Sequence, residues 1–251
     1  MNRLLQLTLL CLVASVPASA ACSGTALGAF TCIQACNNWS YSGTTITCSF
    51  SSALTAGSEI VVTGLAYATE TSMVYSGCSL TFSDLDGIKS GGSGWFNQAW
   101  AANSGTGSCT VTLTVGTSAS KGIFALEIGG SNQTVDAHSL RYAGTVTAGN
   151  PITPTAITTA VDGDLIIEFV IDVTGSSVTY TAGSGTLFVQ TSDYWAAQGQ
   201  IQTAHGSVTP NVTASGTYNF SAGAIALEPT GGGGPPACKP TLTLLGVGRC
   251  N

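Results

Sequence analysis

Short runs rich in β-branched residues recur along the whole chain. Ser58–Thr63 (S-E-I-V-V-T), Cys109–Val115 (C-T-V-T-L-T-V) and Asp164–Asp172 (D-L-I-I-E-F-V-I-D) have strand length, and Gly, Asn, Asp and Ser punctuate them at short intervals. Within Thr110–Thr114 the threonines alternate with Val111 and Leu113, which puts hydroxyls on one face and apolar groups on the other. Apolar positions spaced i, i+3, i+4, i+7 are missing beyond the N-terminal stretch. The pattern predicts an all-β chain of antiparallel sheets, of sandwich or barrel type.

The chain also repeats itself. Gly122-Ile-Phe-Ala-Leu-Glu127 matches Gly223-Ala-Ile-Ala-Leu-Glu228, Trp100-Ala-Ala-Asn103 matches Trp195-Ala-Ala-Gln198, and Ala56–Val62 resembles Val161–Ile167. Three matches in one order predict a duplicated unit. The expected organisation is a signal peptide over 1–20, a Cys-rich segment over 21–39, a first β-sandwich over 40–130 and a connector over 131–149. A second β-sandwich over 150–230, a Gly/Pro linker over 231–236 and a Cys-bounded tail over 237–251 complete it.

Gly163-Asp-Leu-Ile-Ile167, Tyr194-Trp-Ala-Ala197 and Ala226-Leu-Glu-Pro229 resemble exported bacterial or phage-associated surface proteins built from tandem jelly-roll-like β-sandwiches. The resemblance implies surface or extracellular placement. It implies no particular activity, and no catalytic residue carries over from it.

The N-terminus agrees with export. Arg3 precedes an apolar stretch from Leu4 to Val16, and Ala18-Ser19-Ala20 fits the small-x-small rule before a cut at Ala21. A lipid anchor at Cys22 is the alternative, because Ser19-Ala20-Ala21-Cys22 half fits a lipobox. No later window has the length of apolar chain that a transmembrane helix needs. Cys11 leaves with the signal, and eight cysteines remain: Cys22, Cys32, Cys36, Cys48, Cys78, Cys109, Cys238 and Cys250. An even count in an exported chain predicts disulfides without fixing their pairing.

Composition narrows the partners. Of 251 residues, only 6 are Lys or Arg and 12 are Asp or Glu, and the net charge is -6. An acidic, weakly charged chain has no basic footprint for nucleic acid and none for an anionic membrane surface. With 44% hydrophobic residues, it has enough apolar material for a packed core.

Candidate chemistry is sparse. No G-x-S-x-G elbow is present, and the two histidines, His138 and His205, lie in polar stretches expected to be loops. Glu127 and Glu228 occupy matching places in the repeats, so a glycosidase pair requires the two units to bring them together. Glu59, Glu168 and Asp172 lie on expected strands, where alternation assigns Glu168 and Asp172 to one solvated face. Asp84, Asp86, Asp162 and Asp164 sit in acidic turns and are the Ca2+ candidates, against ordinary turn chemistry. Trp95, Phe96, Trp100, Tyr194 and Trp195 are the candidates for ligand contact, since exposed aromatics mark binding surfaces. No cofactor is expected. The expected function is a secreted or cell-surface structural or adhesive protein without catalytic activity, its partners surface glycans or further copies of the chain. The alternatives are a carbohydrate-binding module and a secreted hydrolase with paired carboxylates.

Overall fold

The computed structural model describes Cys22 and residues 24–92, 94–174, 178–190 and 194–231. The expected signal peptide, the bridge between Cys238 and Cys250, the tail over 237–251 and most of the Gly/Pro linker lie outside the described residues. All described regular structure is β, and every pairing is antiparallel. Among the described residues no helix is long and apolar enough to cross a membrane.

The first half contains β1 (Thr25–Leu27), β2 (Phe30–Ser40), β3 (Thr45–Ser49), β4 (Glu59–Ala66), β5 (Met73–Gly77), β6 (Ser83–Asp84), β7 (Lys89–Gly91), β8 (Gly94–Ala102), β9 (Thr110–Val115) and β10 (Lys121–Gly129). The second contains β11 (Ser131–Val146), β12 (Pro151–Ile152), β13 (Ile157–Thr159), β14 (Asp164–Asp172), β15 (Tyr180–Ala182), β16 (Thr186–Gln190), β17 (Trp195–Gln202), β18 (Gly206–Val208), β19 (Val212–Ala214) and β20 (Tyr218–Pro229). A large sheet in the first half has the order β1-β2-β10-β4-β8-β6, with β7 also paired to β8. The large sheet of the second half runs β11-β20-β14-β17-β16. Thus β2-β10-β4-β8 recurs as β11-β20-β14-β17. The small sheet β3-β9-β5 likewise recurs as β12-β19-β15, and β13 pairs separately with β18.

Side-chain alternation distributes these strands over several cores. One face of the first large sheet packs on β3-β9-β5 through Ile46, Ile60, Val62, Leu113 and Ile123. The second large sheet packs its outer face on β12-β19-β15 through Ile152, Val170, Val212 and Phe220, and on β13-β18 through Ile157 and Ile166. The remaining faces of the two large sheets meet each other. Val61, Leu65, Phe96, Phe124 and Leu126 from one side join Leu165, Ile167, Phe169, Trp195 and Leu227 from the other. Phe124 stands edge-on to Phe169 at 5.7 Å and stacks on Trp195 at 5.9 Å across this junction. The layers are therefore small sheet, large sheet, large sheet, small sheets, and the two halves share one apolar cluster.

This stacking alters three readings of the sequence. Residues 131–149 are no connector, because Ser131–Val146 is the edge strand β11, paired along its length with β20. Its outward face is polar because it closes a sheet edge, which is what made it look like a linker. The Cys-rich segment over 21–39 is not separate either, since β2 lies inside the first large sheet next to β10. Finally, the registers correct two repeat matches. Leu126 pairs with Val61, and its counterpart Leu227 pairs with Leu165. Val61 pairs with Trp100, but Leu165 pairs with Ile201 while Trp195 pairs with Ile171. Trp100 and Trp195 are thus not equivalent. Asp164 likewise aligns with Ile60 rather than Glu59, and a one-residue slip exchanges the two faces.

Three disulfides join Cys22 to Cys32, Cys36 to Cys48 and Cys78 to Cys109. The first commits the Cys22 sulfur, so a thioether lipid at that residue is incompatible with the bridge. Such bridges suit an oxidising environment.

Candidate functional site

At one end of the shared interface, four aromatic rings from distant parts of the chain come together. Trp39 closes β2, Tyr41 follows it, Tyr67 follows β4 and Tyr194 precedes β17. The Trp39 ring lies 4.9 Å from Tyr194, 5.8 Å from Tyr67 and 6.5 Å from Tyr41. Trp39, Tyr67 and Tyr194 are half-buried against the central cluster, whereas Tyr41 is 80% exposed.

Local chemistry explains why Trp39 can lie there. It pairs across the sheet with Gly122. A Cβ at Gly122 would come within 2.5 Å of the Trp39 ring and 2.9 Å of Trp195, so glycine gives both indoles their room. Lys121, next to it, is fully buried. Its Nζ donates to the carbonyls of Ser42 (2.6 Å), Gly43 (2.6 Å) and Ala119 (3.0 Å). That ammonium pins the turn which carries Tyr41. Burial lowers the Lys121 pKa, and the nearby Glu70 carboxylate opposes the effect. Asn38 spans the same edge, accepting from the Trp39 amide (2.8 Å) and donating to the Thr47 carbonyl (2.7 Å). Tyr194 is held through its carbonyl, which accepts from the Asp172 amide (2.9 Å) and the Tyr180 hydroxyl (3.1 Å).

Of the aromatic residues expected to contact ligand, only Tyr194 belongs to this group. Phe96 and Trp195 are buried in the central cluster, and Trp100 is half-buried against it. Trp95 is half-buried against the core of the first half. Phe96 and Trp195 are withdrawn from any contact surface because the strand faces that carry them are covered. Trp39, Tyr41 and Tyr67 are not among the residues that the sequence pattern singles out. The signal available was Trp39-Ser40-Tyr41, two rings flanking a strand end beside the exposed run 41–45.

The carboxylates serve other purposes. Glu127 is fully buried and satisfied: Oε1 accepts from the Thr55 amide (2.6 Å) and the Ser58 hydroxyl (2.8 Å), and Oε2 from Gln34 Nε2 (2.6 Å). Glu228 accepts from Asn132 Nδ2 (2.6 Å), and its charge reaches Glu59 and Asp164. The matching positions in the repeats therefore have different hydrogen-bond partners. Glu168 and Asp172 are not on a solvated face, since every residue of β14 is buried. Glu168 accepts from Gln198 Nε2 (2.7 Å), and burial raises its pKa well above the usual carboxylate range. Glu59 accepts a hydrogen bond from Ser131 Oγ of the other half, and its pKa is pushed up to about 7, chiefly by burial. Asp164 is pushed up to about 8 by burial, then by the neighbouring Asp136, Glu228 and Asp162 carboxylates.

Three of the four Ca2+ candidates are engaged, whereas neither oxygen of the buried Asp164 carboxylate has a hydrogen-bond partner among the described residues. Asp84 Oδ1 accepts from the amides of Asp86 (3.2 Å) and Gly87 (2.8 Å), closing its own turn. Asp86 faces His138 Nδ1 at 3.1 Å and accepts from Gln98 Nε2 at 2.5 Å. Asp162 lies 2.7 Å from His205 Nδ1, in the open, while Asp164 is buried. Among the described residues no group of three His, Cys, Asp or Glu side chains is placed to hold a metal ion. Neither histidine ring hydrogen-bonds a serine hydroxyl among the described residues. Two polar grooves also occur at the rims of β3-β9-β5. The larger, of about 490 Å³, lies between Cys78–Leu80 and Asn103–Ser108, and no titratable side chain lines it.

No family model matches the sequence, and no curated protein or solved structure matches the chain.

Proposed function

We propose that this is an extracellular or cell-surface structural and adhesive protein, with the Trp39–Tyr41–Tyr67–Tyr194 end as its contact site. The single observation that carries the reading is a highly exposed tyrosine on a turn anchored by a buried lysine, beside rings braced by two halves of the molecule. Exposed aromatic groups on a rigid support are what a passive contact surface requires. Three disulfides support placement in an oxidising exterior. The buried carboxylates with named hydrogen-bond donors support a structural role for the groups that a hydrolase would use.

Adhesion is checked by co-sedimentation of the purified protein with envelope material from the producing cell, alongside analytical ultracentrifugation at high concentration. Retention on the envelope, or reversible self-association, is the expected result. A clean monomer that stays in the supernatant would end the proposal.

A further inference from the structure

Deepening the adhesive reading and resting on it, we infer that the cluster of Trp39, Tyr41, Tyr67 and Tyr194 is a carbohydrate site that takes the ring face of a neutral polysaccharide. Three observations carry this. The first is size. Among the described residues the large apolar side chains that stand exposed are Tyr41 at 80% and Val74 at 54%, and Val74 lies on β5 in a different sheet. The apolar surface at the cluster is therefore about one ring with its flanks, matched to a sugar. A stable protein partner would need roughly 800 Å² on this side.

The second is chemistry. A sugar presents a C–H face and a rim of hydroxyls, so its site needs a flat ring edged by uncharged donors and acceptors. The rings here are edged by Asn38, Ser40, Ser42 and the exposed Tyr41 phenol. The nearby cation, Lys121, spends its ammonium on three backbone carbonyls. Among the described residues at the cluster, no free cation stands ready to draw a phosphate or an acidic sugar. The third is preorganisation. Trp39 is held by Tyr67 and Tyr194, and the Tyr41 turn by Lys121, so little ordering is left to occur on binding.

The test is affinity electrophoresis of the full mature chain in gels containing laminarin, xyloglucan or glucomannan, with alginate as the charged control. Retardation by at least one neutral polysaccharide is expected. Tyr41→Ala should weaken it about tenfold, the effect of one stacked ring, with an unchanged melting temperature, and Tyr41→Phe should keep most of it. No retardation in the three neutral gels, retardation by alginate alone, or a Tyr41→Ala protein that binds like wild type would each overturn the site. Envelope co-sedimentation separates the two claims. A wild-type protein that sediments with envelope yet ignores all three polysaccharides loses the ligand class and keeps the adhesive reading, whereas loss of both ends both.

Discussion

The carboxyl of Glu59 offers a quantitative test of how the two halves are joined. It lies at the start of β4, with no exposed surface, and reaches Ser131 Oγ at the start of β11. Its other oxygen has no hydrogen-bond partner among the described residues. Burial raises its pKa from 4.5 to about 7, so the folded protein holds this proton where the unfolded chain has released it. The sign follows from linkage. The folded-state pKa is the higher one, so the stabilising contribution is complete below about pH 4.5 and is lost as pH rises through 7. The interval from 4.5 to about 7 corresponds to about 3 kcal/mol. That is a large share of a typical folding free energy of about 5–15 kcal/mol. Glu59→Gln keeps the shape and an oxygen for Ser131, but its amide brings N–H groups with no acceptor, costing about 1–3 kcal/mol. The variant should be the less stable protein at pH 4.5, and the gap should close or reverse by pH 8. Urea unfolding with disulfides intact, run from pH 4.5 to 8.5, measures the difference at each pH. Asp164 and Glu168 shift in the same direction and remain in both proteins, so only the difference between the curves belongs to Glu59. A difference that stays constant across the range would refute the reasoning.

Two further outcomes follow from the packing. Glu127→Ala strands the Thr55 amide and removes a carboxylate held by three donors, and should cost about 3–5 kcal/mol in urea unfolding. Glu127→Gln should cost less, and a loss below 1 kcal/mol for the alanine variant would show that the group is not structural. A fragment ending at Gly130 would expose the face bearing Val61, Leu65, Phe96, Phe124 and Leu126, and should self-associate or aggregate in light-scattering chromatography. A monodisperse, folded fragment would mean that the shared cluster is dispensable.

The candidate site was poorly legible in the sequence, and the reason is distance along the chain. Tyr194 stood out because it adjoins Trp195, yet the two diverge: Trp195 points into the central cluster and Tyr194 remains at its edge. Trp39, Tyr41 and Tyr67 lie on segments that meet Tyr194 only once two large sheets stack. The repeat in G-x-[IF]-A-L-E was legible because it aligns two central strands, β10 and β20. The Trp-Ala-Ala match misled, because a low-complexity sequence supplies such triplets at registers that do not correspond.

Strand chemistry, read alone, determined that this chain is all-β: β-branched runs of strand length, broken by turn formers, have little other way to hide their apolar face. It also identified the cysteines that form the bridges. Tertiary structure decided what covers each face. A period of two says that a strand has two sides, and it is silent about whether water or another sheet lies on each. In β14 both sides are covered, so Glu168 and Asp172, assigned to water by alternation, are buried. In β11 a polar stretch that read as a connector is a paired edge. These outcomes depend on contacts between residues tens of positions apart, and a linear pattern does not encode which sheets will meet.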